Sequence, residues 1–287
     1  MKQPLIRRTR ILLLTCGLVV LFIMLRYFEH SQVYHPSRSF DATGAELGRP
    51  FEQVHFKSGD GVDLHGWFYP ATPNSPHAHI GLVYCHGNAG NISHRLDTCR
   101  ALLQTGMAVF LFDYRGYGRS AGRPSEAGTY LDAQAACAWL RQKGFANTNL
   151  IAYGESLGGG IATEVLLREK LGGLVLQGTF TSVPDIGAEL FPWLPVRWIS
   201  RINYDTLSKL PSVTVPVVVL HSRADEIIGY HHSQKNYDAI KAPKFFCELK
   251  GDHNSPLEDR KAFVEAINTL LNMMATNPAA NPSPDHR

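Results

Sequence analysis

Short, unbroken apolar runs recur along the chain: HIGLVYC (His79 to Cys85), AVFLFD (Ala108 to Asp113), NLIAYG (Asn149 to Gly154), GLVLQG (Gly173 to Gly178), VPVVVLH (Val215 to His221) and KFFCEL (Lys244 to Leu249). Apolar runs of this length without polar alternation read as strands covered on both faces, and all but one of the gaps between them fit a loop plus a helix. This order predicts an α/β fold: a mostly parallel central sheet with crossover helices on both faces. Upstream, FEQVHF and VDLHGWFY flank Ser58-Gly59-Asp60-Gly61, a turn-forming stretch, so the sheet is expected to start with an antiparallel hairpin. Spaced apolar positions predict helices over Asn91–Gln104, Ser125–Lys143 with Ser125 as N-cap, Ser156–Lys170, Tyr230–Ile240 and Leu257–Met273.

The exceptional gap runs from Thr179 to Thr214. It holds Phe191, Trp193, Leu194, Val196, Trp198 and four prolines, too irregular for one crossover helix. A long insertion in a compact domain is often a lid or a binding loop, so residues 181–214 are expected to form a short aromatic-rich cap. The same aromatics would also serve simply to cover an apolar sheet end.

At 287 residues and 44% hydrophobic content, the chain can bury the core of one domain. A net charge of +3, with no basic block beyond the extreme N-terminus, gives no reason to expect a nucleic-acid partner. The five cysteines are odd in number and lack C-x-x-C spacing, which predicts neither a disulfide framework nor a zinc site. His231 and His232 are adjacent and should point apart on a helix, and no H-E-x-x-H occurs. No metal and no cofactor are therefore expected. Oligomeric state is not encoded in any of these features.

The N-terminus is organised differently. Ile11 to Leu25, ILLLTCGLVVLFIML, carries no charge, and extending to Phe28 across Arg26 gives eighteen residues. Such a helix is roughly 27 Å long against a hydrocarbon core of about 30 Å. The following RYFEHSQVYHPS has no small-residue cleavage site, which favours an uncleaved signal-anchor over a removed leader. Lys2, Arg7, Arg8 and Arg10 precede the span, so the positive-inside bias leaves the N-terminus cytoplasmic and the globular part on the other side. The expected organisation is a basic flank and transmembrane anchor over 1–28, a linker over 29–50, a catalytic domain over 51–274 and a disordered tail over 275–287.

GESLG, Gly154 to Gly158, supplies the chemistry-bearing core of the sequence. It fits G-x-S-x-G and lies between a buried strand and a helix, the context in which a sharp turn lifts a serine hydroxyl clear of the sheet's carboxyl edge. A serine alone is a feeble nucleophile and needs a base whose orientation a third group fixes. His253, in GDHN after the last strand, and Asp225, just after VPVVVLH, return to that edge in the order Ser, Asp, His. Asp252 adjoins the histidine and Glu226 adjoins Asp225, but both rank below Asp225 on loop direction. The negative charge that develops on a carbonyl under attack needs backbone N–H donors. Leu157 is one expected donor, and the loop HGNAGN supplies the other, Asn88 ahead of Ala89.

Taken in order, HGNAGN, DYRGYGRSAG (Asp113 to Gly122), GESLGGG, HSRADEII (His221 to Ile228) and GDHN resemble a membrane-anchored branch of the α/β-hydrolase superfamily, akin to its serine-aminopeptidase, monoacylglycerol-lipase-like and depalmitoylating groups. The resemblance spans Phe51 to Leu271. It implies Ser156 as nucleophile, Asp225 as acid, His253 as base, and Asn88 with Leu157 as oxyanion donors, while Asp113 and Arg115 would brace the loop after their strand. Where such proteins often read H-G-x-x-D with a later proline, this chain has Ser222 and Gly229, which leaves the acid loop's geometry open. The expected activity is hydrolysis of a carboxylic ester or thioester, with a small or lipid-like ester as substrate; amide or peptide hydrolysis uses the same machinery, and a non-catalytic scaffold is the reading from another class.

Overall fold

The computed structural model of the chain describes residues 3–255 and 257–276. Most of the expected tail, 277–287, lies outside the described residues. In chain order the elements are helix α1 (Gln3–Val33), a two-residue strand β1 (His35–Pro36), the hairpin β2 (Glu52–Lys57) and β3 (Asp63–Tyr69), β4 (Gly81–Cys85), a second two-residue strand β5 (Ala89–Gly90), α2 (Leu96–Leu103), β6 (Ala108–Asp113) and α3 (Glu126–Gln142). There follow β7 (Leu150–Glu155), α4 (Gly158–Glu169), β8 (Gly173–Gln177), α5 (Val183–Leu190), α6 (Val196–Ile199), β9 (Val217–Ser222), α7 (Tyr230–Ala239), β10 (Lys244–Leu249) and α8 (Arg260–Thr276).

Eight strands form the main sheet in the order β10-β9-β8-β7-β4-β6-β3-β2. The antiparallel start is the β2–β3 hairpin, joined through β3 to β6, and every pairing from β6 to β10 is parallel. The unbroken apolar runs follow from burial on both sides. Along β6, Phe110 and Phe112 face α3 and α4, while Val109 and Leu111 face α2 and α8. Along β7 the same alternation sends Leu150 and Ala152 one way and Ile151 and Tyr153 the other. Each fully buried side chain of this size contributes about 1.5–3 kcal/mol by leaving water. The last strand departs from the pattern: β10 has only β9 as a neighbour, and Phe245 is 38% exposed. An edge position explains why KFFCEL is half-covered rather than enclosed.

Parallel registers bring the strand ends level. Cys85 pairs with Gly154, Glu155 with Gln177, and Ser222 with Leu249, so the loops carrying chemistry leave along one carboxyl edge. Helix α1 runs to Val33, five residues past the boundary expected at 28. Within its Ile11–Val33 portion an eighteen-residue window has a mean hydropathy of 2.4 and is unburied, long enough at about 1.5 Å per residue to approach the thickness of a bilayer core. Residues 34–50, expected as a linker, run along the domain: Tyr34 is buried, His35–Pro36 pair with Ala89–Gly90, and Phe40, Ala42 and Leu47 pack on the core.

Candidate active site

Ser156 sits between β7 and α4 with φ of +52°, a left-handed conformation that a non-glycine residue adopts only where its surroundings impose it. Two glycines make the turn possible. A Cβ at Gly154 would strike the backbone of Gly158 and Gly159, and one at Gly158 would strike the Cys85 carbonyl. The Ser156 N–H donates to the Gln177 carbonyl (2.9 Å), and its own carbonyl accepts from Gly159 (3.0 Å), which ties the turn to β8 and starts α4.

His253 and Asp225 reach this serine from the loops after β10 and β9. His253 Nε2 lies 3.2 Å from Ser156 Oγ, and its Nδ1 lies 2.7 Å from Asp225 Oδ2. The carboxylate accepts at Nδ1, which puts the imidazole proton there and leaves Nε2 as an acceptor facing the hydroxyl. Burial pushes the Asp225 carboxyl up, but the hydrogen bond and charge of His253 outweigh it, and the group is held below the usual carboxylate range. Asp225 Oδ1 accepts from the N–H groups of Ile227 (3.0 Å) and Ile228 (2.8 Å), fixing the acid's orientation. Glu226 instead reaches the His253 backbone (3.4 Å) and Asp252 accepts from Ser255 (2.6 Å), so neither touches the imidazole. Gly178, with φ of +54°, lies beneath Asp225 and His253.

Ser222 is the position where the resemblance leads to the expectation of a glycine. Its hydroxyl donates to the Gly251 carbonyl (2.5 Å) and accepts from Ala224 N–H (3.1 Å). The side chain thereby links the loop bearing Asp225 to the loop bearing His253.

Leu157 and Asn88 both line the cavity over Ser156. Among the described residues neither backbone N–H has an acceptor. The remaining groups of Asn88 are occupied elsewhere. Its side chain donates to the Val33 carbonyl (3.1 Å), and its carbonyl accepts from His35 N–H (2.9 Å) and Tyr117 hydroxyl (2.8 Å). Beneath this loop His86 is fully buried against Tyr114, its Nδ1 donating to the Gly87 carbonyl (2.7 Å), and burial drives its pKa down to about 3. Asp113 accepts from Ile92 N–H (3.0 Å), and Arg115 pairs with Asp132 and Asp60, so both act as braces behind the site.

The cavity holds about 290 Å³. Phe180, Val183, Ile186, Phe191 and Leu194 give it an apolar side, and Arg95, Glu155 and Asn254 a polar one. Three contributors were not evident from the sequence. Glu155 binds Arg95 (3.0 Å) and accepts from Tyr84 hydroxyl (2.6 Å), yet it reads only as the variable residue of G-x-S-x-G. The last turns of α1, including Leu25 and Phe28, also line the cavity, although they lie some 130 residues upstream of Ser156. Only the amphipathic break at Arg26 and Glu29 hinted that this helix does more than cross a membrane.

His231 and His232 do not point apart as expected. In the first turn of α7 both rings reach Glu189, at 2.9 and 3.2 Å, with ring centroids 4.4 Å from each other. These three residues are close enough to share a metal ion, but the donor chemistry of His232 opposes it. Its Nδ1 accepts the Thr181 N–H (3.2 Å), which leaves the proton on Nε2, the atom that would have to bind the metal. The group fits a hydrogen-bonded clamp between cap helix α5 and α7.

Comparison with known proteins agrees with this architecture. Residues 76–210 match the family described as serine aminopeptidase, S33, a segment that includes Asn88 and Ser156 and stops before Asp225 and His253. The chain is 34% identical to an uncharacterized protein of Mycobacterium tuberculosis, covering 88% of this chain and 90% of the other. It is 32% identical to the alpha/beta hydrolase domain-containing protein WAV2 of Arabidopsis thaliana, over 80% of this chain and 82% of that one. Among solved structures, the Pyrococcus furiosus esterase Pf2001 superposes with a TM-score of 0.68 at 18% identity, over 85% of this chain and 98% of its own. By sequence and by fold, the chain belongs to the α/β-hydrolase superfamily.

Proposed function

We propose that the protein is a serine hydrolase that cleaves carboxylic ester or thioester bonds through an acyl-enzyme on Ser156. The supporting observation is the hydrogen-bonded line from Ser156 Oγ to His253 to Asp225, at 3.2 and 2.7 Å, around a serine held in a left-handed turn. In the first half-reaction Ser156 Oγ forms a bond to the substrate carbonyl carbon while its proton passes to His253 Nε2. Asp225 stabilises the resulting imidazolium, and the carbonyl oxygen takes up negative charge facing the N–H groups of Leu157 and Asn88. The bond to the leaving group then breaks and His253 gives it the proton. Water repeats the sequence on the acyl-enzyme: His253 Nε2 takes a proton from the water as its oxygen bonds to the acyl carbon, the bond to Ser156 Oγ breaks, His253 returns the proton to that oxygen, and the acid product departs.

Residues 1–28 serve on this reading as an uncleaved anchor with a cytoplasmic N-terminus. The unit over 51–274, with its cap over 181–214, then works on the opposite side of the membrane. The apolar side of the cavity favours an acyl chain over a bare polar group. A second reading, hydrolysis of an aminoacyl amide or peptide, is favoured by the description of the matching family. An aminopeptidase needs a carboxylate for the substrate ammonium group. Among the described lining residues the two carboxylates are already engaged, Glu155 by Arg95 and Tyr84, and Glu29 by Arg26 and Ser200. The test pairs fluorophosphonate labelling with turnover of p-nitrophenyl esters of increasing length and of aminoacyl amides. Labelling is expected to vanish in Ser156→Ala and esters are expected to be preferred; undiminished labelling, or turnover confined to amides, would overturn the assignment.

A further inference from the structure

The apolar side of the cavity is made by two pieces distant in the chain. Cap residues such as Ile186, Phe191 and Ile199 form one wall, and Leu25, Phe28 and Val33 of α1 form the facing one. The two are bolted together. Arg26 donates to the Ile199 carbonyl (2.5 Å) and to Glu29 (2.5 Å), while Glu29 Oε1 accepts from Ser200 hydroxyl (2.6 Å), Arg201 N–H (2.7 Å) and Ile202 N–H (3.0 Å). Below them Tyr34 and Tyr204 hydroxyls bond at 2.9 Å. Several charge-assisted bonds in one place hold the helix end as part of the site, where a tether would need none.

The same helix fixes where the site stands relative to a bilayer. From Ile11 to Met24 its large side chains are half or more exposed, an apolar surface of the kind hydrocarbon covers. The charge-free stretch Ile11–Leu25 extends roughly 22 Å, and Arg26 marks both its end and the start of the segment bonded to the cap. Trp193 and Trp198 are 73% and 90% exposed, and both belong to the stretch of cap that meets this helix end. Phe28 meets Phe191 edge-on (5.7 Å), Phe191 meets Trp193 (6.3 Å), and Trp198 immediately precedes the Ile199 that Arg26 grips. Exposed indoles settle at the lipid–water boundary.

We infer that α1 is a wall of the substrate channel as well as an anchor, and that the channel opens at the bilayer surface to admit the acyl chain of an ester lipid directly from the leaflet. This rests on the hydrolase reading of Ser156. The acyl chain lies between α1 and the cap, and the polar head group faces Arg95, Glu155 and Asn254 on the other side of the serine.

The full-length protein in phosphatidylcholine vesicles provides the test, with 4-methylumbelliferyl palmitate in the bilayer, an S-palmitoyl peptide, and p-nitrophenyl esters in solution. Leu25→Trp should shift the chain-length optimum to shorter esters and Phe28→Ala to longer ones. Replacing Trp193 and Trp198 together by serine should lower the ratio of bilayer to soluble turnover about fivefold. Independently of turnover, brominated lipids should quench the fluorescence of these two tryptophans in the Ser156→Ala protein. Optima that stay put in both wall variants, a turnover ratio unchanged by the tryptophan replacements, or quenching unaltered when the two tryptophans become phenylalanine would overturn the inference. Preference for the S-palmitoyl peptide over the palmitate ester would refute the ester-lipid assignment. Strong quenching with no ester turnover at all would remove the esterase reading and leave the membrane placement standing.

Discussion

Asp225→Asn isolates what the proposed acid, Asp225, does for the proposed base, His253. The native carboxylate uses Oδ1 for the N–H groups of Ile227 and Ile228 and Oδ2 for His253 Nδ1. An asparagine keeps the first two bonds only with its carbonyl oxygen in the Oδ1 place, which turns its NH₂ toward the imidazole. Two N–H groups cannot share a 2.7 Å contact, so the imidazole proton moves to Nε2, the atom that must accept from Ser156. The fold is untouched and the base is in the wrong tautomer. A change of this kind costs about 10⁴ in kcat, or about 5.5 kcal/mol of barrier. The assay is kcat/KM on p-nitrophenyl butyrate, with Ser156→Ala as the floor and circular dichroism to verify folding. Glu226→Gln and Asp252→Asn, whose carboxylates do not touch the ring, should stay within a few-fold of the parent. An Asp225→Asn enzyme retaining a tenth or more of its activity, or a Glu226→Gln enzyme falling as far, would refute the reasoning.

Stability should fall in acid through His86. Its folded pKa of about 3 lies below the unfolded value of about 6.5, so the unfolded chain binds more protons between them. The contribution is complete above the unfolded value and is lost as pH drops toward the folded one, with a slope of at most about 1.4 kcal/mol per pH unit. His86→Asn should flatten the slope of urea midpoints between pH 7 and 4, and an unchanged slope would contradict the assignment. Gly158→Ala drives a methyl into the Cys85 and His86 carbonyls and should cost about 1–3 kcal/mol together with most of the turnover, read by thermal unfolding and kcat. Ser222→Ala removes the bond to Gly251 and should cost about 1 kcal/mol, lowering kcat more than it changes KM.

The parts of this molecule that were legible in the sequence are those set by local pattern. Strand after strand betrayed itself by apolar runs because burial on both faces leaves no place for polar alternation, as in β6 and β7. Ser156 stood out because its turn tolerates only glycine at Gly154 and Gly158. What stayed hidden depends on chain segments meeting across the fold. Around Leu25 and Phe28 only the charges of Arg26 and Glu29 break the apolar run, and they do not say which distant segment the helix end meets. The segment after it looks like a linker because its polar residues outnumber its anchors Tyr34, Phe40 and Leu47. The approach of His231 to His232 depends on Glu189 arriving from the cap, about forty residues away, and no spacing rule carries that.

His253 and Asp225, the proposed base and acid, lie on the loops after the last two strands of the sheet, and β10 is held by a single neighbour. Strand borders fray before interiors do, at a free energy well below that of global unfolding. Moderate denaturant or heat will therefore silence the enzyme while its spectroscopic signature still reads as native, and survival of function will report on this margin of the molecule rather than on its centre.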